Sequence, residues 1–234
     1  IFTPVTPDGE RTMFGQRGAN IRTDPAEMRP NLLAGAQLLH LSGYAFLAEP
    51  QRQAGIRAVE LARRQGLALS LDTALLPALA VPEQIKALLP GLAICVLGLE
   101  EARALTGSQA PGECAQALLQ AGVGQVGLKL GREGCLLAEA GGLWEIPAFP
   151  AQVVDTTGAG DAFSAGLIYA RLHSLSPPAA GLLANALGGL AAHNLGAGLA
   201  LPGKSEAMDF LQTSLPGADD EQEMRIIEVL EVIK

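Results

Sequence analysis

A chain of 234 residues, 49% hydrophobic and 17% charged, is long enough to bury a substantial core. Its apolar runs are broken by Gly, Pro or charge before they reach membrane-spanning length. The net charge of −8 argues against a general nucleic-acid or anionic-membrane surface, since both need clustered Lys and Arg, whereas a small phosphorylated ligand needs only a few backbone amides.

The opening TPVTPDGERTMF sets a Pro-Asp-Gly turn between two short extended pieces and predicts a hairpin. It has neither the basic n-region nor the long apolar core of a secretory signal. A compact apolar run at 36–43 ends in Gly43. Residues 49–66 have helical spacing, with Ile56, Val59, Leu61 and Ala62 on one side and Gly66 as the stop. LALSLDT (67–73) is strand-like, PEQIKALLPG helical, and LAICVLG (92–98) a fully apolar strand. Helices at 99–107 and 112–122 follow. The segments 125–131, 134–140 and 142–149 read as consecutive strands joined by glycine turns. From 159 the pattern is helical, over 159–173, 177–195, 205–212 and 221–233.

Near-continuous apolar strands alternating with helices predict a parallel sheet covered on both faces. One α/β domain over 1–234, with a small β appendage at its start, is the economical organisation. In such sheets ligands bind beyond the carboxyl ends of the strands, so the junctions at 72–73, 98–101 and 155–161 are candidates for one crevice. Cys95, Cys114 and Cys135 are odd in number and lack CxxC spacing. Buried free thiols and a reducing cytoplasm are expected. His40, His173 and His193 are scattered without zinc-ligand spacing and read as structural or surface residues.

The stretch DTTGAGDAF (155–163) carries the strongest chemistry. Gly158 and Gly160 remove side chains where a helix begins, and the first amides of that helix have no internal partner. Together with the positive end of the helix dipole they form an anion site suited to a phosphoryl group. Asp161 stands in the first turn. Alone it would read as a cap, but Thr156 or Thr157 can cap instead, leaving the carboxylate beside the anion site as a general base toward a hydroxyl. No Walker-A sequence and no G-x-G-x-x-G after the first strand occur, and DAFSAG is not a G-x-S-x-G nucleophile elbow.

On these residues the chain resembles the ribokinase-like (phosphofructokinase-B type) carbohydrate kinases. DTTGAGDAFSAGL is similar to that family's C-terminal signature. CVLGLEEARALTG resembles its Asn-x-x-Glu segment, GLKLGREGCLL its nucleotide-side glycine segment, LSLDTALLPAL its sugar-side Asp strand, and HNLGAGLALP its late adenine-flanking loop. The resemblance spans nearly the whole chain and implies a three-layer ribokinase-like fold, a mainly parallel sheet with helices on both faces and part of a β lid at 1–20. It implies ATP-dependent phosphorylation of a sugar hydroxyl with ATP and Mg2+. Asp161 would deprotonate the hydroxyl, and the amides of Gly158, Ala159, Gly160 and Asp161 would hold the γ-phosphoryl group. Lys129, Gly131 and Gly134 would line the nucleotide, and Glu101 would place Mg2+ through water. Asp155 and Thr157 match positions where some members bind a monovalent cation such as K+, or else are turn and cap residues. Arg11 and Asn20, in the lid remnant, would touch substrate. A homodimer through the lid is common in such kinases.

Two departures stand out. Position 98 is Gly where the family has Asn, which removes a hydrogen-bonding side chain near the phosphates and Mg2+. The chain also begins at the hairpin, without the strand and Gly-Gly-Asn segment that precede it in the family, so an incomplete N-terminus is expected. Three function classes follow: a sugar kinase, or a nucleoside or vitamin-precursor kinase of the same fold; a weakly active or non-catalytic nucleotide- or sugar-binding relative; and a Rossmann-like domain with an incidental glycine turn.

Overall fold

The computed structural model describes all residues except 1, 5, 7–11 and 151. Among the described residues, six strands form one sheet in the order β1 (Leu38–Ser42), β2 (Ala68–Asp72), β3 (Ile94–Gly98), β4 (Gln125–Lys129), β5 (Cys135–Glu139), β6 (Gly142–Ile146). β1 to β4 run parallel, in a register that sets Ser42 opposite Asp72, Asp72 opposite Val96, and Gly98 opposite Lys129. The connections from β4 to β5 and from β5 to β6 are too short for a parallel crossover, so these strands turn back antiparallel. The sheet is therefore mixed. Helices α1 (Gln51–Arg64), α2 (Leu75–Ala80), α3 (Pro82–Lys86), α4 (Leu99–Thr106) and α5 (Pro111–Gln120) supply the crossovers. The chain ends in α6 (Ala159–Leu172), α7 (Pro177–Ala192), α8 (Lys204–Ser214) and α9 (Asp220–Ile233).

The chain folds into two compact units. The first holds 16–129 and 136–143. Its centre is β3, whose Ile94, Cys95, Val96 and Leu97 are all fully buried. Burial of successive residues means that both faces of the strand are covered, as the unbroken apolar run predicts. The second unit holds 1–15, 130–135 and 144–234. Here α6 and α7 approach closely through Gly166, where a Cβ would lie 2.8 Å from the Cα of Ala184. Asn185 of α7 is buried, and its Nδ2 donates to the carbonyls of Ile146 and Pro147, each at 3.0 Å. At the start of α7, Ser176 caps the amide of Ala179 and is gripped by the carboxylate of Glu228 from α9.

The predicted elements are recovered, with three differences. α2 falls where no helix is expected, with Pro77 in its first turn, the part of a helix that tolerates a missing N–H. The helix expected over PEQIKALLPG closes at Lys86, and its last residues form turns. The opening hairpin keeps one antiparallel bridge, Phe2 with Phe14, while its turn at 7–11 lies outside the described residues. All three cysteines are buried free thiols. The histidines are structural: His40 Nδ1 meets Ser70 Oγ at 2.8 Å, His173 stacks on Tyr169, and His193 Nε2 accepts from the amide of Gln152. Among the described residues no helix is long and apolar enough to cross a membrane.

Candidate active site

In the first unit, side chains gather at the carboxyl ends of β2, β3 and β4. Lys129 reaches across β3, and its Nζ lies 3.0 Å from Asp72 Oδ2, with both side chains largely covered. Glu101 is the third residue of α4, and Gly98 is its N-cap. The Glu101 carboxylate turns back, so that Oε2 accepts from the Gly98 amide at 3.0 Å and from the Thr73 hydroxyl at 2.6 Å. Half of a capping box is thus made, and glycine has no side chain to return the second bond. Glu101 Oε1 stays outside these bonds and lies 3.3 Å from the place a Cβ on residue 98 would take.

Thr73 is fully buried, and its own amide donates to the Val96 carbonyl at 3.1 Å. The next residue, Ala74, has φ 55 and ψ 149, a conformation that costs a non-glycine residue about 1–3 kcal/mol. Cys95 of β3 is fully buried within the field of the same groups. Burial first, and then the carboxylates of Asp72 and Glu101, push its thiol far above the ordinary range.

In the second unit, Gly158 is the N-cap of α6 with φ 83, in the left-handed region. A Cβ there would also lie 2.8 Å from Leu201 Cδ2 and 3.0 Å from Ala197 Cβ. Glycine is required on both counts. The amide of Ala159 bonds the Thr156 carbonyl and that of Ala162 bonds Gly158. Among the described residues no acceptor meets the amides of Gly160 and Asp161, which open the helix. Asp161 itself is exposed beside them.

Asp155 is 2% exposed and organises the approach to this helix. Its Oδ1 accepts from the amide and hydroxyl of Thr157 at 2.9 and 2.7 Å, and its Oδ2 from the amide of Gly196 at 2.8 Å. Asn194 Nδ2 closes the same 194–200 loop onto the Ala200 carbonyl. Gly131 and Gly134 flank a short turn with φ 62 and 100. Gly134 admits no side chain, since a Cβ would lie 2.1 Å from the Ile146 carbonyl oxygen.

The expected site residues therefore fall into two groups: Lys129 and Glu101 in one unit, and Gly131, Gly134, Asp155, Thr157 and Gly158 to Asp161 in the other. Asn20 is exposed in a 3-10 turn of the first unit, where its carbonyl accepts from Thr23. Arg11 lies outside the described residues. Sequence reasoning marks the 72–73 junction as a crevice candidate and its strand as the sugar-side Asp strand, but names neither Thr73 nor Asp72, the partner of Lys129, among the site residues. The place of both at the carboxyl end of β2 is the signal that points toward them.

The model for the pfkB family of carbohydrate kinases matches residues 2–204. The chain belongs to the pfkB family. Among curated relatives, a probable fructokinase-4 from Arabidopsis thaliana is 29% identical over 90% of this chain and 69% of its own length. Fructokinase-2 from Solanum lycopersicum is 30% identical over 71% of this chain and 53% of its own length. A crystal structure of aminoimidazole riboside kinase from Salmonella enterica, complexed with aminoimidazole riboside and an ATP analog, is 28% identical with a TM-score of 0.66. That match covers 74% of this chain and 62% of the other. The chain thus spans about half to two-thirds of the length of these pfkB-type relatives. The α/β fold with its mixed sheet is the ribokinase-like one.

Proposed function

We propose that this chain works as one ribokinase-like kinase domain over 1–234, with 1–20 part of its lid, and catalyses ATP-dependent phosphorylation of a sugar hydroxyl. The observation that carries this reading is the start of α6, where Gly158 turns the chain so that the amides of Gly160 and Asp161 open outward beside an exposed carboxylate. That cradle fits an anion with several oxygens, held by backbone donors at the positive end of a 14-residue helix. Glu101 Oε1, left outside the Thr73 and Gly98 bonds, fits contact with a metal-bound water. ATP supplies the transferable phosphoryl group and Mg2+ offsets its charge.

The chain's own work is placement. The amides of Gly160 and Asp161 receive charge that spreads over the phosphoryl oxygens, whereas the Ala159 amide, expected to join them, is occupied by the Thr156 carbonyl. The Asp161 carboxylate accepts the proton of the attacking hydroxyl. Lys129, held by Asp72, supplies a cation, and Gly131 and Gly134 let the backbone pass close to the nucleotide. Asn20 and Arg11 are assigned to substrate contact. Asp155 already uses both oxygens on N–H and O–H donors, and a monovalent cation would have to share them.

The names of the relatives support a sugar or sugar-bearing nucleoside as acceptor, and fructose heads the candidates. Three buried reduced thiols support a cytoplasmic location, and a homodimer belongs to the same reading. The test is turnover of ATP with Mg2+ against a panel of fructose, ribose, 2-keto-3-deoxygluconate and nucleosides, read as phosphorylated product. Asp161→Asn is expected to lower kcat by about 10²- to 10⁴-fold while ATP binding persists. Full activity of that variant on every acceptor would remove the general-base role. Gly98 favours a second reading, a weakly active binder, because it gives Glu101 only a backbone donor. Nucleotide binding without product from any acceptor would select it.

A further inference from the structure

We propose that Thr73 is a positioning residue that aims Glu101, taking over the orienting task that a side chain at position 98 cannot perform here. The inference rests on the kinase reading, because Glu101 matters only if a metal–nucleotide complex binds. A glutamate on the first turn of α4 has free torsions and, left alone, points into solvent. Here two donors from different strands fix one of its oxygens: the amide of Gly98 at the end of β3 and the hydroxyl of Thr73 just beyond β2. The amide bond alone leaves the carboxylate free to swing about a single contact. The second bond, at 2.6 Å, pins Oε2 and so determines where Oε1 faces.

The backbone holds Thr73 firmly in place. Its amide is tied to Val96, and its carbonyl is packed against Gly43 so closely that a Cβ there would lie 1.9 Å away. Ala74, immediately after it, carries the unfavourable positive φ. Strain of this kind persists only where the surroundings over-determine the conformation, and it clusters at working sites. Thr73 is fully buried, and its hydroxyl donates to Glu101, the carboxylate that the kinase reading assigns to a metal-bound water.

The experiment titrates Mg2+ into the protein with a non-hydrolysable ATP analog, follows analog affinity by calorimetry, and repeats the analog titration without metal. Thr73→Val, which keeps shape and removes the hydroxyl, should raise the half-saturating Mg2+ about 10- to 100-fold, as loss of an outer-shell partner does. Metal-free affinity should not move, and Thr73→Ser should restore the wild-type response. Thr73→Ala repeats the removal in a smaller side chain if the valine variant does not fold. A Mg2+ response unchanged in both removal variants, or a serine variant as impaired as valine, overturns the proposal. If the wild-type protein shows no Mg2+-dependent binding, the kinase reading fails and this inference falls with it. That failure is distinguishable because it shows in the wild type and not in a variant.

Discussion

At the scale of single residues, two glycines make opposite predictions. Gly158 sits at φ 83 with Leu201 and Ala197 closing the space above it. Gly158→Ala should cost about 1–2 kcal/mol from the left-handed backbone alone, and more from the contacts. Denaturant unfolding and nucleotide affinity should register the loss together. Gly98 has an ordinary negative φ, and the nearest atom to a new Cβ is Glu101 Oε1 at 3.3 Å, a side-chain atom that need give by only a few tenths of an ångström. Gly98→Asn should therefore fold with stability changed by only a few tenths of a kcal/mol, and should raise kcat/KM for the accepted sugar. A drop in turnover with intact folding would count against a shortfall at position 98. The glycine turn into a helix at 155–161 was legible in the sequence because it is contiguous, and the proposed cradle and base follow that turn along the chain. The Thr73–Glu101 bond was not, since it joins residues 28 apart on two elements, and only the strand register brings them together.

At the scale of elements, hydrophobic periodicity placed nearly every helix and strand, because a doubly covered parallel sheet forces continuous apolar strands. It missed α2, in which LLPALA leaves Leu75, Leu76 and Leu79 substantially exposed and buries Pro77 and Ala78. With its apolar side outward and a proline inside, that helix has neither of the marks by which one is read. The α6–α7 pair depends on a close approach that glycine alone permits. Gly166→Val would drive a side chain into the Ala184 backbone, and a loss of about 1–3 kcal/mol is expected in denaturant unfolding. Asn185→Ala should cost about 1–3 kcal/mol by removing the donor to two carbonyls, of which that of the buried Ile146 has no easy replacement.

At the scale of the whole molecule, the thiols provide a global probe of stability. Burial pushes the Cys135 thiol up to about 12, against a hydrogen bond from Asn185 that lowers it, and Cys95 is driven higher still. In the folded protein both stay protonated where unfolded cysteines, near 9, have begun to ionise. The unfolded state then binds fewer protons, so stability should fall as pH rises above about 9 and be unaffected by these groups below it. Melting temperatures of the wild type and a Cys135→Ala variant across pH ~7 to ~10.5 would check the sign, since the variant should lose part of the alkaline slope. Composition forecast this much: a chain rich in Ala and Gly with few charges buries even its cysteines. It could not forecast that residues 16–129 and 144–234 fall into separate compact units, because no linker or composition shift marks that division.

The carboxylate of Asp155 bonds Thr157 on one side and Gly196 on the other, between the turn that opens α6 and the 194–200 loop. Two segments 41 residues apart therefore share one anchor, and their fluctuations are thermodynamically linked. An anion settling on the α6 amides should slow hydrogen exchange at the Gly196 amide, whose bond goes to Asp155. Asp155→Asn should abolish that communication, so that the loop no longer senses whether the cradle is full.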